Sequence, residues 1–352
     1  MPHKQNTTLG WDVGGAHLKA VLVDADGRAL QAIQQPCALW QGIDNLHAAV
    51  TQVLSTIEFA PQHHVVTMTG ELADIFTDRD SGVREIAQAM SDRLGPALQF
   101  FTGAGYVTFD AVPQHARSIA STNWLASATW IATQAPYALF VDIGSTTADL
   151  VPIAHGQPSP RGYTDAERMQ CEELVYTGAV RTSLMSLGPQ LPFQGEWQPL
   201  AAEHFATTAD VYRLTGDLRQ DDDMAATADG GGKSAEDSAR RLARMIGHDL
   251  GDGSMAAWKA LAQACKQQQV ERLKRAALRA FSCLLPDADM PLVGTGAGHF
   301  LVRELARQLD RPYLPAAAMI PAASEAVRYW AAICLPAYAV AALSSAPTKA
   351  TP

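Results

Sequence analysis

The chain has 352 residues, 47% of them apolar, which is enough for two domains with sizeable cores. Its net charge of −9 argues against the basic face of a nucleic-acid-binding protein and gives no attraction to anionic lipid. Five scattered cysteines (Cys37, Cys171, Cys265, Cys283 and Cys334) have no metal-ligand spacing and read as thiols of a reducing cytosol, so a cytoplasmic location is expected.

The polar start Met1–Asn6 does not read as a signal peptide. Thr8–Val13, Leu18–Asp24 and Arg28–Gln34 then alternate as a β-meander, with Asp24-Ala25-Asp26-Gly27 as a turn. Leu46–Ile57 has helical spacing, His64–Met68 reads as a buried strand, Val83–Leu94 as a helix and Leu98–Phe101 as a strand. His115–Thr133 is expected as one long helix carrying Trp124 and Trp130. Ala138–Ile143 and Ala148–Ile153 form a second hairpin, and Pro158–Phe193, richer in Gly, Pro and charge, leads into a second lobe. Residues 217–234 hold Asp221-Asp222-Asp223 and Gly230-Gly231-Gly232 and read as a mobile surface loop.

Helices are expected at Ser238–His248, Ala256–Leu284, Gly298–Leu309 and Ser324–Ala332, with a strand at Met290–Val293 and a loop at Pro315–Ala323. Ala331–Leu343 is apolar but shorter than the ~20 residues of a bilayer span, so it reads as a core helix followed by a strand, with no membrane partner. The tail from 344 is expected to fray. Mixed strand and helix order implies an α/β protein with helices on the faces of a twisted sheet. The expected division is 1–135, 136–343 with the inserted loop, and 344–352.

Two acid–glycine turns carry the chemistry. The first is Asp12-Val13-Gly14-Gly15, followed by His17 and Lys19; the second is Asp142-Ile143-Gly144-Ser145-Thr146-Thr147. Each ends a strand in a carboxylate and follows it with glycine, whose missing Cβ lets a phosphate reach backbone N–H groups. Either turn alone is an ordinary β-turn; the repeated grammar points to a polyphosphate and its metal. Asp12 and Asp142 are the expected magnesium residues, holding the ion through its waters. Gly14, Gly15, His17, Lys19, Gly144, Ser145, Thr146 and Thr147 are the expected phosphate contacts.

Gly294-Thr295-Gly296-Ala297-Gly298 is a third glycine turn opening a helix. It lacks the βαβ setting of a dinucleotide fingerprint and fits a nucleotide or phosphorylated ligand at a helix N-terminus. Asn123 and Trp124 could line a cleft, and Glu71 and Asp165 are candidate bases. Gly230-Gly231-Gly232-Lys233-Ser234 is not a P-loop, because Thr227 stands where the first glycine belongs.

The three turns, in this order, resemble the phosphate and adenosine motifs of the acetate and sugar kinase, heat-shock chaperone and actin superfamily. Asp142-Ile143-Gly144-Ser145-Thr146-Thr147-Ala148-Asp149 resembles its hydantoinase/oxoprolinase branch. Met68–Asp74, Ala120–Trp124, Thr164–Arg168 and Thr207–Tyr212 resemble the family of tetrahydromethanopterin-linked one-carbon pathway proteins, similar to a methanofuran-biosynthesis ether synthase. The resemblance implies a two-lobed actin-like (ribonuclease H-like) fold with mixed sheets and a cleft between lobes. It implies a transferase that joins an aminomethylfuran diphosphate to a tyramine- or tyrosine-type phenol and releases pyrophosphate. In a methylotrophic bacterium the product is the related methylofuran. The implied partners are these small molecules, with room for a homo-oligomer; magnesium is the implied cofactor and ATP is left open. The alternative on the same scaffold is an ATP-dependent kinase or amidohydrolase. His17 stands where many members of the superfamily have Thr or Asn, which removes a hydroxyl contact to phosphate.

Overall fold

The computed structural model describes residues 7–284 and 289–345. These form two compact units. One takes residues 7–136, 153–158 and 316–345; the other takes 137–152, 159–284 and 289–315.

The first unit opens with β1 (Thr8–Val13), β2 (His17–Val23) and β3 (Ala29–Pro36), the expected meander. α1 (Asp44–Thr56), β4 (His63–Met68), α2 (Arg79–Leu94), β5 (Gln99–Phe101) and β6 (Tyr106–Thr108) follow. The sheet order is β3-β2-β1-β4-β5-β6. β1 runs antiparallel to β2 and parallel to β4. Every residue of β1 is buried, as suits a central strand in such a sheet. Asp78 caps α2 by accepting from the Ser81 N–H at 2.8 Å.

The expected single helix over His115–Thr133 is two helices, α3 (Val112–Ile119) and α4 (Asn123–Gln134). Ser121 has φ 52, a left-handed conformation that a continuous α-helix cannot contain. Helical periodicity runs through both pieces, so apolar spacing does not reveal the break.

The second unit starts with the hairpin of β7 (Ala138–Ile143) and β8 (Ala148–Ala154). After β9 (Gln157–Pro158), part of the first unit's 153–158 segment, come α5 (Asp165–Gln170), β10 (Leu174–Val175), β11 (Gln190–Phe193), β12 (Glu196–Pro199), α6 (Thr208–Thr215), α7 (Ala235–Met245) and α8 (Met255–Cys283). β13 (Leu292–Thr295), α9 (His299–Gln308) and β14 (Tyr313–Pro315) complete it. Its main sheet runs β10-β8-β7-β13-β14, with β13 parallel to both β7 and β14.

Residues 217–234 differ from the mobile loop expected of them. Arg213 pairs with Asp223 and Asp210 at 2.7 Å each. Arg241 pairs with Asp210 at 2.7 Å and Asp229 at 2.9 Å. Asp222 and Asp223 are buried. The acidic run supplies anions to an internal network, which composition alone cannot distinguish from a solvated loop.

The chain then returns to the first unit as α10 (Glu325–Ile333) and α11 (Leu335–Ser345), bent by 101°. Residues from 316 on were expected in the C-terminal lobe, and the end of the apolar stretch was expected as a strand. It is helical instead: Pro336 sits in the first turn of α11, where a missing N–H costs no helical bond. α11 packs on β1 across Gly10, where a Cβ would strike the Ala337 carbonyl. Ser344 and Ser345, expected to fray, end this helix; 346–352 lie outside the described residues. No single helix among the described residues is long and apolar enough to cross a membrane. Both units are α/β with mixed sheets, the ribonuclease H-like class that the resemblance implies.

Candidate functional site

In the first unit, Asp12 stands at the end of β1 and is 3% exposed. Its strand partners are Lys19 in β2 and Thr67 in β4. The Lys19 Nζ lies 3.8 Å from Asp12 Oδ2, so this lysine is an ion-pair partner of the acid as well as a candidate phosphate cation. The turn is closed by Gly14 N–H donating to the His17 carbonyl at 3.0 Å. The Gly14 amide, expected to meet phosphate, is therefore occupied. The N–H groups of Gly15 and Ala16 donate to no protein group among the described residues.

In the second unit, Asp142 is half-buried at the end of β7. Gly144 N–H donates to the Thr147 carbonyl at 2.9 Å, the same closure as in the first turn. The N–H groups of Ser145 and Thr146 donate to no protein group among the described residues. Thr147 is half-buried beside them, and Ser145 Oγ and Thr146 Oγ1 are 3.4 Å apart. Each unit thus presents one carboxylate next to two consecutive available amides, a local anion-binding arrangement.

The third glycine turn joins the second. Thr295 is the register partner of Asp142. A Cβ at Gly296 would collide with Asp142 Oδ1 and the Ile143 carbonyl. Gly298 N–H donates to the Ile143 carbonyl at 2.8 Å, and a Cβ there would strike the Ile143 side chain. Gly294 lies where a Cβ would crowd Tyr313 and Val302, and Ala297 sits between the two close-packed glycines. Beyond this turn His299 is held below its ordinary pKa by burial, opposed in part by its contact with the Gly296 carbonyl.

Two further glycines buttress the turns. Gly70 lies against the first: a Cβ on it would sit 3.1 Å from the Val13 carbonyl and 3.3 Å from Gly14 C. Gly178, which sequence reasoning missed, lies against the second, where a Cβ would collide with the Ser145–Thr146 backbone. Ala179 N–H donates to the Gly144 carbonyl at 2.9 Å, and Val180 and Arg181 N–H to the Ser145 carbonyl at 3.1 and 2.8 Å. A lone glycine in a polar stretch carries no sequence signal of this role.

The remaining candidates fall in different settings. Glu71 is 1% exposed and accepts from Ser121 Oγ at 2.7 Å. Trp124 is 4% exposed, so its ring belongs to the core and offers no open stacking face. Asn123 begins α4, and its Oδ1 accepts from the Trp124 N–H at 2.7 Å. Asp165 is half-buried in the first turn of α5, behind a Thr164–Glu167 capping box. Asp149, the last acid of the second motif, pairs with the buried Arg168 at 2.9 Å.

No group of three or more His, Cys, Asp or Glu side chains suited to holding a metal occurs among the described residues. Among these residues no all-protein cage for a metal is present. Magnesium fits, because it binds through one or two carboxylates and keeps waters or phosphate oxygens as its other ligands.

The hydantoinase/oxoprolinase family model matches residues 62–321. A (4-{4-[2-(gamma-L-glutamylamino)ethyl]phenoxymethyl}furan-2-yl)methanamine synthase from Methanocaldococcus jannaschii is 28% identical over 240 residues, 68% of this chain and 71% of that protein. A synthase of the same name from Methanococcus vannielii is 32% identical over 112 residues, 32% of this chain and 50% of that one. Among solved structures, nucleotide-free acetone carboxylase superposes with a TM-score of 0.59 at 12% identity, covering 96% of this chain and 70% of that chain; this likeness shows the shared fold. The match to the family model takes in the second acid–glycine turn, the third glycine turn and the buttress at Gly178: the chain belongs to the hydantoinase/oxoprolinase family.

Proposed function

We propose that this protein is a transferase of methanofuran-type cofactor biosynthesis. It joins an aminomethylfuran diphosphate to the phenol of a tyramine- or tyrosine-type glutamyl compound. The C–O bond to the diphosphate breaks, a C–O bond to the phenol forms, pyrophosphate leaves and the phenol gives up its proton. The reading is carried by the 240-residue similarity to a synthase whose product contains this aryl–CH2–furan ether. The paired amides beside Asp12 and Asp142 support it, since they suit a departing diphosphate.

In this reading the available amides of an acid–glycine turn, Gly15 and Ala16 in the first unit or Ser145 and Thr146 in the second, donate to diphosphate oxygens as charge grows on the bridging oxygen. Asp12 and Asp142 are the carboxylates that would hold magnesium, which when bound would supply positive charge to the leaving group. Lys19 adds a cation beside Asp12. The furan ring shares positive charge with the departing CH2, which lowers the barrier to C–O cleavage. Free phenol titrates near ~10, so a base assists attack. Of the two candidate carboxylates, Asp165 has access to solvent and Glu71 is enclosed.

The test is incubation with the furan diphosphate, magnesium and a tyramine- or tyrosine-type phenol, measuring pyrophosphate. Phenol-dependent release is expected; its absence overturns the assignment. One observation favours a second reading, an ATP-dependent kinase or amidohydrolase: the third glycine turn packs directly beside Asp142, although a furan diphosphate needs no adenine pocket. Calorimetry with ATP and with pyrophosphate separates the two.

A further inference from the structure

We infer that Glu71 and Ser121 form a latch that positions the first acid–glycine turn, and that Glu71 is not a proton acceptor in turnover. The latch stands on the geometry of the first unit alone; its link to activity rests on the proposed transferase reading.

Glu71 directly follows Gly70, which lies against Val13 and Gly14. The preceding Thr69 N–H donates to the Val13 carbonyl at 2.9 Å. Fixing Glu71 therefore fixes the segment that braces the turn. α2 closes over the same point, since Gly82 leaves room only for the Glu71 backbone. The Glu71 carboxylate accepts from Ser121 Oγ at 2.7 Å. Ser121 is buried and left-handed, a conformation that a non-glycine residue keeps only when its surroundings impose it. The next residue, Thr122, places Oγ1 3.3 Å from Thr67 Oγ1, and Thr67 is the strand partner of Asp12. Both arms of the latch end at the same strand terminus, one at Gly14 and one at Asp12.

The test is amide hydrogen exchange on the full-length protein without ligand, read at Gly14 and Thr69. Ser121→Gly deletes the hydroxyl while its backbone adopts positive φ freely, so the fold is retained. Exchange at Gly14 and Thr69 is expected to rise about fivefold, as for loss of a hydrogen bond. Exchange at Gly144 is expected to stay unchanged. Glu71→Gln keeps an acceptor oxygen and is expected to exchange as wild type; Glu71→Ala is expected to match Ser121→Gly. Unchanged exchange in Ser121→Gly overturns the latch. A Glu71→Gln protein with wild-type exchange but a 100-fold loss of phenol-dependent pyrophosphate release, with a limb missing from its pH profile, makes Glu71 catalytic and also overturns it. If the wild type releases no pyrophosphate, the transferase reading fails, and the exchange result still decides the latch.

Discussion

Substitution of Gly178 by alanine tests whether the second turn is held by its neighbour. The added Cβ would collide with the Ser145–Thr146 backbone, and neither side yields easily. Gly178 N–H is bonded to Thr182 Oγ1 at 2.7 Å, and its carbonyl accepts from Thr208 Oγ1 and Gln269 Nε2 at 2.9 Å each. Gln269 is itself fully buried and bonded to the Tyr212 hydroxyl. Relief therefore requires the turn to retreat by about 1 Å to ordinary van der Waals separation. Overpacking of this kind costs about 1–3 kcal/mol. For a unit of this size, 2 kcal/mol corresponds to a fall in Tm of roughly 4–8 °C. A misplacement of about 1 Å at a reacting centre costs on the order of 100-fold in rate. Gly15→Ala is the control, because a Cβ there meets nothing within 4 Å. It should melt as wild type yet bind magnesium pyrophosphate more weakly, since the new methyl stands beside the available amides. Differential scanning calorimetry with isothermal titration of pyrophosphate reads both variants. A Gly178→Ala protein that melts and binds as wild type would refute the buttress argument.

Three other outcomes follow from the geometry. Arg241→Ala leaves the buried Asp210 paired with Arg213 alone and should destabilise the second unit by about 1.5–3 kcal/mol, as for loss of hydrogen bonds to a charged group, visible as a lower urea midpoint; a loss below about 0.5 kcal/mol would show the Arg241 pair to be dispensable. His64 accepts from Trp11 Nε1 at 3.1 Å, and burial, with the nearby His63, lowers its pKa to about 4. Its depressed folded pKa makes its contribution complete above about pH 6.5 and lost as the pH falls towards 4, worth roughly 2 kcal/mol after allowance for its partial exposure. His64→Gln, which keeps an acceptor without titrating, should flatten the stability profile over that window. Asp142→Asn should cut pyrophosphate release by on the order of 100-fold or more while leaving the melt within about 2 °C; an equal loss of folding would make Asp142 structural.

Much of the architecture was legible because hydropathy follows burial. The meander, β4, β7, β8 and α8 emerge within a few residues of their expected bounds. The failures have separate physical causes. The break at Ser121 lies in a left-handed residue whose hydroxyl meets a carboxylate 50 residues away, which local periodicity cannot register. The acidic loop looked solvated because its two most enclosed guanidinium partners, Arg213 and Arg241, lie outside it in sequence. Ala331–Leu343 is apolar on all sides, so helix and strand could not be separated by period, and its packing on Gly10 is a tertiary fact. At the candidate site the turns themselves were legible from the Asp–Gly grammar. Which amides are available was not: in each turn the first glycine N–H closes the hairpin, and the two residues after it are left to donate. Trp124 read as a candidate cleft residue because an aromatic beside an asparagine has the same sequence appearance in a core as in a cleft.

The most direct test of the account is a crystal structure of the protein with magnesium and pyrophosphate. The account predicts a diphosphate on the amides of an acid–glycine turn, Gly15 and Ala16 in the first unit or Ser145 and Thr146 in the second, with magnesium at that turn's carboxylate. A diphosphate bound away from both turns and both carboxylates would contradict it.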